Sequence, residues 1–343
     1  MSWSIHPIRD FPAHSEAWDT LAQGRVGAPF LRSGFIQPAI TAFGRGDELL
    51  CLYQAEGQLR IAMILSKQGK GMWQTFQPSQ LPLGAFLSDG SVDIELAAPG
   101  LWHKLPGLCL GLGLTQLDPN FDPRPTDSIK RRSKDYIQTS WVDINGSFDA
   151  YWDARGKNLK QNTRKQRNKL QSEGVEPRLE CLQAVAEMGT AIEQYGRLES
   201  AGWKTADGTA INPENQQGRF YRKMLENFAA RGQARVYRYW FGDKVVAMDL
   251  CIDDGHVIVI LKTTYDESYK AVSPSTLMRQ TEFQQLFDEQ KFRRIEFYGK
   301  VMEWHTRWTE QLREIYHCNL YRFQAVLNLI TLRNKLAKQE STQ

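Results

Sequence analysis

The sequence predicts an α+β fold, a mixed α/β sheet with flanking helices, divided between two domains. Three observations carry this. A chain of 343 residues is long for one core, and two domains of ordinary size are the natural division. Residues 233–299 read as three strands in a meander, then a helix, then one more strand. Asn145-Gly146-Ser147 punctuates the chain between that region and a first part in which short strand-like runs alternate with Gly/Pro turns. The expected division is 1–145, 146–320, and a C-terminal helix with a polar tail over 321–343.

Composition bounds the function classes. With 41% hydrophobic and 24% charged residues the chain is globular rather than disordered. A net charge of +4 permits an anionic ligand but does not argue for nucleic acid. Five scattered cysteines form no metal spacing and read as free thiols of a reducing compartment. The N-terminus lacks a charged-then-apolar signal pattern, and no run reaches the length of a membrane span. The expected location is the cytoplasm, with no metal.

In order, residues 18–21 and 33–43 read as helices, and 48–54 with 59–66 as a hairpin around Glu56-Gly57. Residues 78–87 form an irregular apolar loop, 92–98 a weak helix or strand, 108–117 a buried strand and 136–144 another. Residues 155–170 hold seven basic side chains and no acidic one. On a helical wheel Lys157, Lys160, Arg164 and Arg167 fall within about 80° of one another, opposite Leu159, Gln166 and Leu170. This is either a solvated face or a landing strip for a phosphorylated, sulfated or nucleotide-bearing substrate. A strand over 175–182, a helix over 182–200 and a helix over 219–231, stopped by Gly232, lead into the meander. Its strands, 234–241, 244–252 and 256–265, are parted by Gly242-Asp243 and Asp253-Asp254-Gly255. Ser273-Pro274 starts the next helix, with Ser273 as its cap and Pro274 at its first position. Such a turn presents free N–H groups to an anion. A strand over 294–298 follows, and 303–312 and 320–338 read as helices.

From 145 to 308 the chain resembles the Fem-like branch of the GNAT acyltransferase superfamily, the cellulose-biosynthesis acetyltransferase type. The resemblance rests on residues 157–167, Gly202-Trp203-Lys204, Val245-Val246-Ala247, Tyr265-Asp266, Ser273-Pro274, Phe297-Tyr298-Gly299 and Trp304-His305-Thr306-Arg307-Trp308. The first part, with Pro78-Ser79-Gln80 and Leu83-Gly84, looks like a degenerate GNAT-like domain, which makes two in tandem. The GNAT phosphate signature Gln/Arg-x-x-Gly-x-Gly/Ala is absent, and Ser275 stands where relatives carry glycine. His305 stands where relatives often carry lysine.

The resemblance implies an acyl-CoA-dependent acyltransferase, with acetyl-CoA or another acyl-CoA as co-substrate rather than a bound cofactor. Its acceptor would be a sugar or sugar-nucleotide of cell-envelope or exopolysaccharide synthesis. The alternatives are an aminoacyl-tRNA-dependent Fem-type transferase and a catalytically inactive scaffold. Donor contacts would fall to Ile260, Lys262, Ser273, Ser275 and Thr276, and acceptor contacts to Lys157, Lys160, Arg164, Arg167, Trp203, Lys204 and His305. The residues themselves offer Asp249, on one face of its strand with Val245, Ala247 and Cys251, as either a raised-pKa base or a paired structural carboxylate. Glu296 is the second candidate base. Tyr298 is either a proton donor to the leaving thiolate or a core residue.

Overall fold

The computed structural model describes residues 1–200 and 211–340. The chain forms two compact units: unit 1 comprises Met1–Arg25, Leu31–Ile137 and Arg313–Gln343, and unit 2 comprises Val26–Phe30 and Gln138–Leu312. The division therefore differs from the one expected from sequence. It falls at 137/138 rather than near 145, and the C-terminal segment belongs to the first unit.

Unit 1 begins with β1 (Ser2–Pro7), α1 (Phe11–Ala22), α2 (Ser33–Phe43), β2 (Leu49–Ala55), β3 (Gln58–Gly69), β4 (Met72–Thr75), β5 (Phe86–Ser88), α3 (Ile94–Trp102) and β6 (Gly111–Leu117). The strand β7 (Arg131–Asp143) leads into unit 2. There follow α4 (Phe148–Asp153), α5 (Lys157–Ser172), β8 (Pro177–Leu182), α6 (Met188–Ser200), α7 (Gln216–Ala229), β9 (Ala234–Phe241), β10 (Lys244–Asp253), β11 (Val257–Tyr265), α8 (Pro274–Glu289), β12 (Arg294–Glu296) and α9 (Glu303–Thr306). The chain returns to unit 1 in β13 (Leu312–Tyr321) and α10 (Gln324–Glu340).

Both units are mixed sheets with the same plan. In unit 1 the order is β1-β2-β3-β4-β6-β13, with β5 beside β3. Its first four strands are antiparallel, β6 is parallel to β4, and β13 is antiparallel to β6. In unit 2 the order is β8-β9-β10-β11-β12-β7. Again four antiparallel strands come first, β12 is parallel to β11, and β7 is antiparallel to β12. In each, two helices follow the first strand and one precedes the parallel strand. This tandem plan is invisible to residue matching, because what repeats is strand sense and helix position rather than side chains.

Local chemistry explains the boundaries. Ser147 Oγ accepts from Ala150 N–H at 3.2 Å to start α4, and Asn215 Oδ1 accepts from Gly218 N–H at 2.8 Å to start α7. Phe220, Met224, Leu225 and Phe228 form the buried stripe of α7, and Gly232 ends the turn beyond it at φ 66°. One expectation fails: residues 303–312 are helical only through Thr306. The strand over Leu312–Tyr321 is one that the sequence reading did not find. The polar residues of β13 hide its period, although Arg313 is buried because its Nε donates to Asp118 Oδ2 at 2.8 Å. No helix among the described residues is long and apolar enough to cross a membrane.

Candidate active site

Unit 2 opens where two parallel strands part. β11 pairs with β12 only over Val257–Val259, and from Ile260 onward that edge of β11 borders a cavity of about 610 Å³. The pairing of β10 with β11 shifts register between Leu250 and Cys251, a β-bulge that accentuates the bend. A strand edge without a neighbour leaves backbone N–H and C=O groups to be satisfied by a ligand or by water. The cavity is walled by β11, by the start of α8, by Leu159 of α5, and by the segment 297–308.

At the helix start, Ser273 holds a left-handed backbone, φ 45° and ψ 62°, and makes no side-chain cap bond. The expected Ser273 cap is thus corrected: the strained backbone turns the chain, and its carbonyl rather than its hydroxyl is used, accepting from Thr276 N–H at 2.9 Å. Pro274 does occupy the first turn. Ser273, Ser275 and Thr276 all line the cavity, so the positive end of the α8 dipole faces it. Unit 1 shows the contrast. There the equivalent helix, α3, is capped by the protein's own anion: Asp93 accepts from Glu95 N–H at 2.9 Å and pairs with Arg131 at 2.8 Å.

The cavity wall is cationic. Lys262, Lys270, Arg279 and Arg307 line it, and no Asp or Glu does so among the described residues. Lys262 is already committed: its Nζ lies 3.2 Å from Glu199 Oε1. Glu199 also accepts from Ile211 N–H at 2.7 Å. His305 accepts Met302 N–H at Nδ1 at 2.9 Å and stacks on Trp304 at a centroid distance of 3.5 Å. Burial, and next the Arg279 charge, lower its pKa to about 4. The ring is therefore neutral at physiological pH, and because Nδ1 accepts, the hydrogen sits on Nε2.

Beneath the wall lies a buried ionic cluster. Arg279 Nη2 donates to Asp249 Oδ2 at 2.6 Å and to Thr263 Oγ1 at 2.9 Å. Burial, then the Asp249 charge, push the pKa of the Glu282 carboxyl well above the usual carboxylate range. Asp249 Oδ1 and Glu282 Oε2 have no hydrogen-bond partner among the described residues. Cys251 Sγ lies 3.9 Å from the other Glu282 oxygen.

The sequence-derived candidates thus separate. Ile260, Lys262, Ser273, Ser275, Thr276 and His305 line the cavity. Asp249 does not, because it is fully buried and its bond to Arg279 places it behind that side chain; the paired structural carboxylate is the reading that fits. Glu296, 2% exposed beside Arg294, and Tyr298, packed edge-on to Phe30 at 4.7 Å, are also outside the cavity wall. Of the α5 face, Lys157 and Arg164 are exposed. Lys160 donates to Asp153 O at 2.9 Å, and Arg167 bonds to Gln280 and Thr281 of α8. None of these four lines the cavity. Trp203 and Lys204 lie outside the described residues. Arg279 and Glu282 escaped sequence reasoning, although they stand three apart on the apolar face of α8, a signal of paired burial.

Residues 157–306 match the protein family described as the acetyltransferase (GNAT) domain. Unit 2 carries a GNAT acetyltransferase domain. It is the domain of an acyltransferase, and the tandem sheet plan agrees with a GNAT-like fold throughout the chain. Solved structures of similar fold include FemX (10% identity, 92% of this chain and 98% of that one, TM-score 0.59). Another is the C-terminal domain of a putative lysylphosphatidylglycerol synthetase from Agrobacterium fabrum (10% identity, 93% and 95%, TM-score 0.54). A third is a conserved protein of unknown function from Bacteroides thetaiotaomicron (11% identity, 89% and 97%, TM-score 0.55). At such identities the likeness is one of fold. No curated protein matches the chain.

Proposed function

We propose that this GNAT domain transfers an acyl group, acetyl in the simplest case, directly from acyl-CoA to an amine of a sugar or sugar-nucleotide acceptor. The observation that carries the donor is the parting of β11 from β12 beside the open N-terminus of α8. The pyrophosphate would meet the Ser275 N–H group and the Ser275 and Thr276 hydroxyls with Lys270 nearby, and the pantetheine amides would pair along the β11 edge from Ile260. The acceptor class rests on the resemblance of residues 145–308 to the cellulose-biosynthesis type, and its setting would be cell-envelope or exopolysaccharide synthesis in the cytoplasm.

The chemistry needs no covalent enzyme intermediate, and no cysteine lines the cavity among the described residues. The amine arrives as the free base and forms the C–N bond. The tetrahedral oxyanion takes N–H donors from the β11 edge, the C–S bond breaks, and the ammonium proton passes to the departing thiolate. A neutral His305 with hydrogen on Nε2 suits a donor at this site and cannot serve as base in that tautomer.

Thermal shift tests the donor. Acetyl-CoA and free CoA should raise the Tm of the wild type in proportion to ln(1 + [L]/Kd), and Ser275→Trp should abolish the shift by filling the turn. No shift with any CoA species would overturn the reading. Steep salt-dependent binding of tRNA instead would favour an aminoacyl-tRNA donor.

A further inference from the structure

Arg279 is a cavity group that the donor reading leaves unused. It is 2% exposed, and both of its described hydrogen bonds leave from Nη2. Its buried Nε has no hydrogen-bond partner among the described residues. The guanidinium carbon lies 4.7 Å from the Trp304 ring centre and 5.6 Å from that of Phe297, and all three side chains line the cavity. A guanidinium carries five donors. Nη2 gives both of its hydrogens to Asp249 and Thr263, which leaves Nη1 and Nε to donate to a carboxylate. Glu282 adds no second negative charge as long as it keeps its proton.

The neighbouring cations do not compete for the same ligand. Lys262 is held by Glu199, and Arg307 Nη2 lies 2.8 Å from Glu303. Lys270 and the α8 turn are assigned to the donor phosphates. Aromatic walls around Arg279 favour a flat, singly charged group, which costs less to desolvate than a phosphate dianion.

We propose that Arg279 is the docking point for a carboxylate carried by one of the two substrates. The enzyme then favours either an acceptor with a carboxylate beside its amine or a dicarboxylic acyl group over the uncharged counterpart. This rests on the acyl-CoA reading of the same cavity. The transfer itself is unchanged: the carboxylate is neither formed nor consumed.

Isothermal titration separates the two sources with matched probes. The acyl arm compares succinyl-CoA with butyryl-CoA, which share chain length. The acceptor arm, on protein saturated with free CoA, compares alanine with ethylamine and 2-amino-2-deoxyglucuronate with glucosamine. The wild type should bind the carboxylate member at least about tenfold more tightly in one arm, a difference of about 1.4 kcal/mol. Arg279→Lys should weaken that preference and Arg279→Gln should remove it. Because Arg279→Gln strands Asp249, Arg279→Gln/Asp249→Asn is run beside it, with free-CoA affinity reporting an intact fold. Equal binding in both arms with CoA bound normally overturns the inference alone, as does a preference that survives in the double variant. Failure of CoA to bind overturns the donor reading and this inference with it.

Discussion

Arg279 Nη2 stands 2.6 Å from Asp249 Oδ2 with neither side chain more than 3% exposed. Two charges taken that far from water lose much of their attraction to desolvation, so such a pair adds little net stability but is costly to break. Asp249→Ala should destabilise the protein by about 3–5 kcal/mol, whereas Asp249→Leu/Arg279→Met should recover most of that loss. Urea unfolding of the two variants checks both. A single variant within about 0.5 kcal/mol of wild type would show that the pair is not buried in solution.

Glu282 gives stability a pH dependence of defined sign. Its folded pKa is raised, so the native state holds a proton that the unfolded chain releases. Its contribution is complete below the ordinary glutamate range and is lost as pH rises from about 4.5 toward the folded pKa, at up to about 1.4 kcal/mol per pH unit. Glu282→Gln keeps a hydrogen-bond donor and cannot ionise. The variant should therefore gain on wild type as pH is raised from 5 to 8 in parallel urea titrations, and parallel curves would refute the raised Glu282 pKa.

His305 shifts in the other direction. With its folded pKa near 4, it contributes stability above the unfolded histidine pKa that is lost as pH falls from about 6.5 toward 4. In nitrogen-15 NMR spectra its ring should remain neutral from pH 5 upward and show hydrogen on Nε2. An imidazolium signal at pH 6, or hydrogen on Nδ1, would contradict the Met302 bond.

Ser273 holds a left-handed backbone without using its hydroxyl as a cap. Glycine pays no Cβ penalty there, so Ser273→Gly should raise stability by about 1 kcal/mol. Ser273→Ala should leave it nearly unchanged. A destabilised glycine variant in thermal or urea unfolding would mean that the serine hydroxyl has a partner in solution.

The meander and α8 are legible in the sequence because turn residues bracket β-branched runs and Ser-Pro marks a helix start. The cavity-lining Ile260, Ser273, Ser275, Thr276 and His305 follow from the resemblance at those turns. Asp249 misleads for a physical reason: alternation places it on the right face, but only the three-dimensional neighbour, Arg279, decides whether that face meets ligand or core. The basic run on α5 is legible as charge but not as direction: Arg167 turns to α8, whereas Lys157 and Arg164 are exposed. β13 is illegible because its buried Arg313 reads as polar until Asp118, far away in sequence, is seen to meet it.

β6 finds its antiparallel neighbour in β13, with Leu117 opposite Tyr316, roughly two hundred residues later in the chain. On the ribosome β6 therefore emerges long before its neighbour exists, and its backbone edge stays open while unit 2 is being made. The second unit has all its strands once Leu312 is synthesised, but the first does not. A truncation before residue 312 would thus leave the second unit with all its strands and the first with β6 open on one edge.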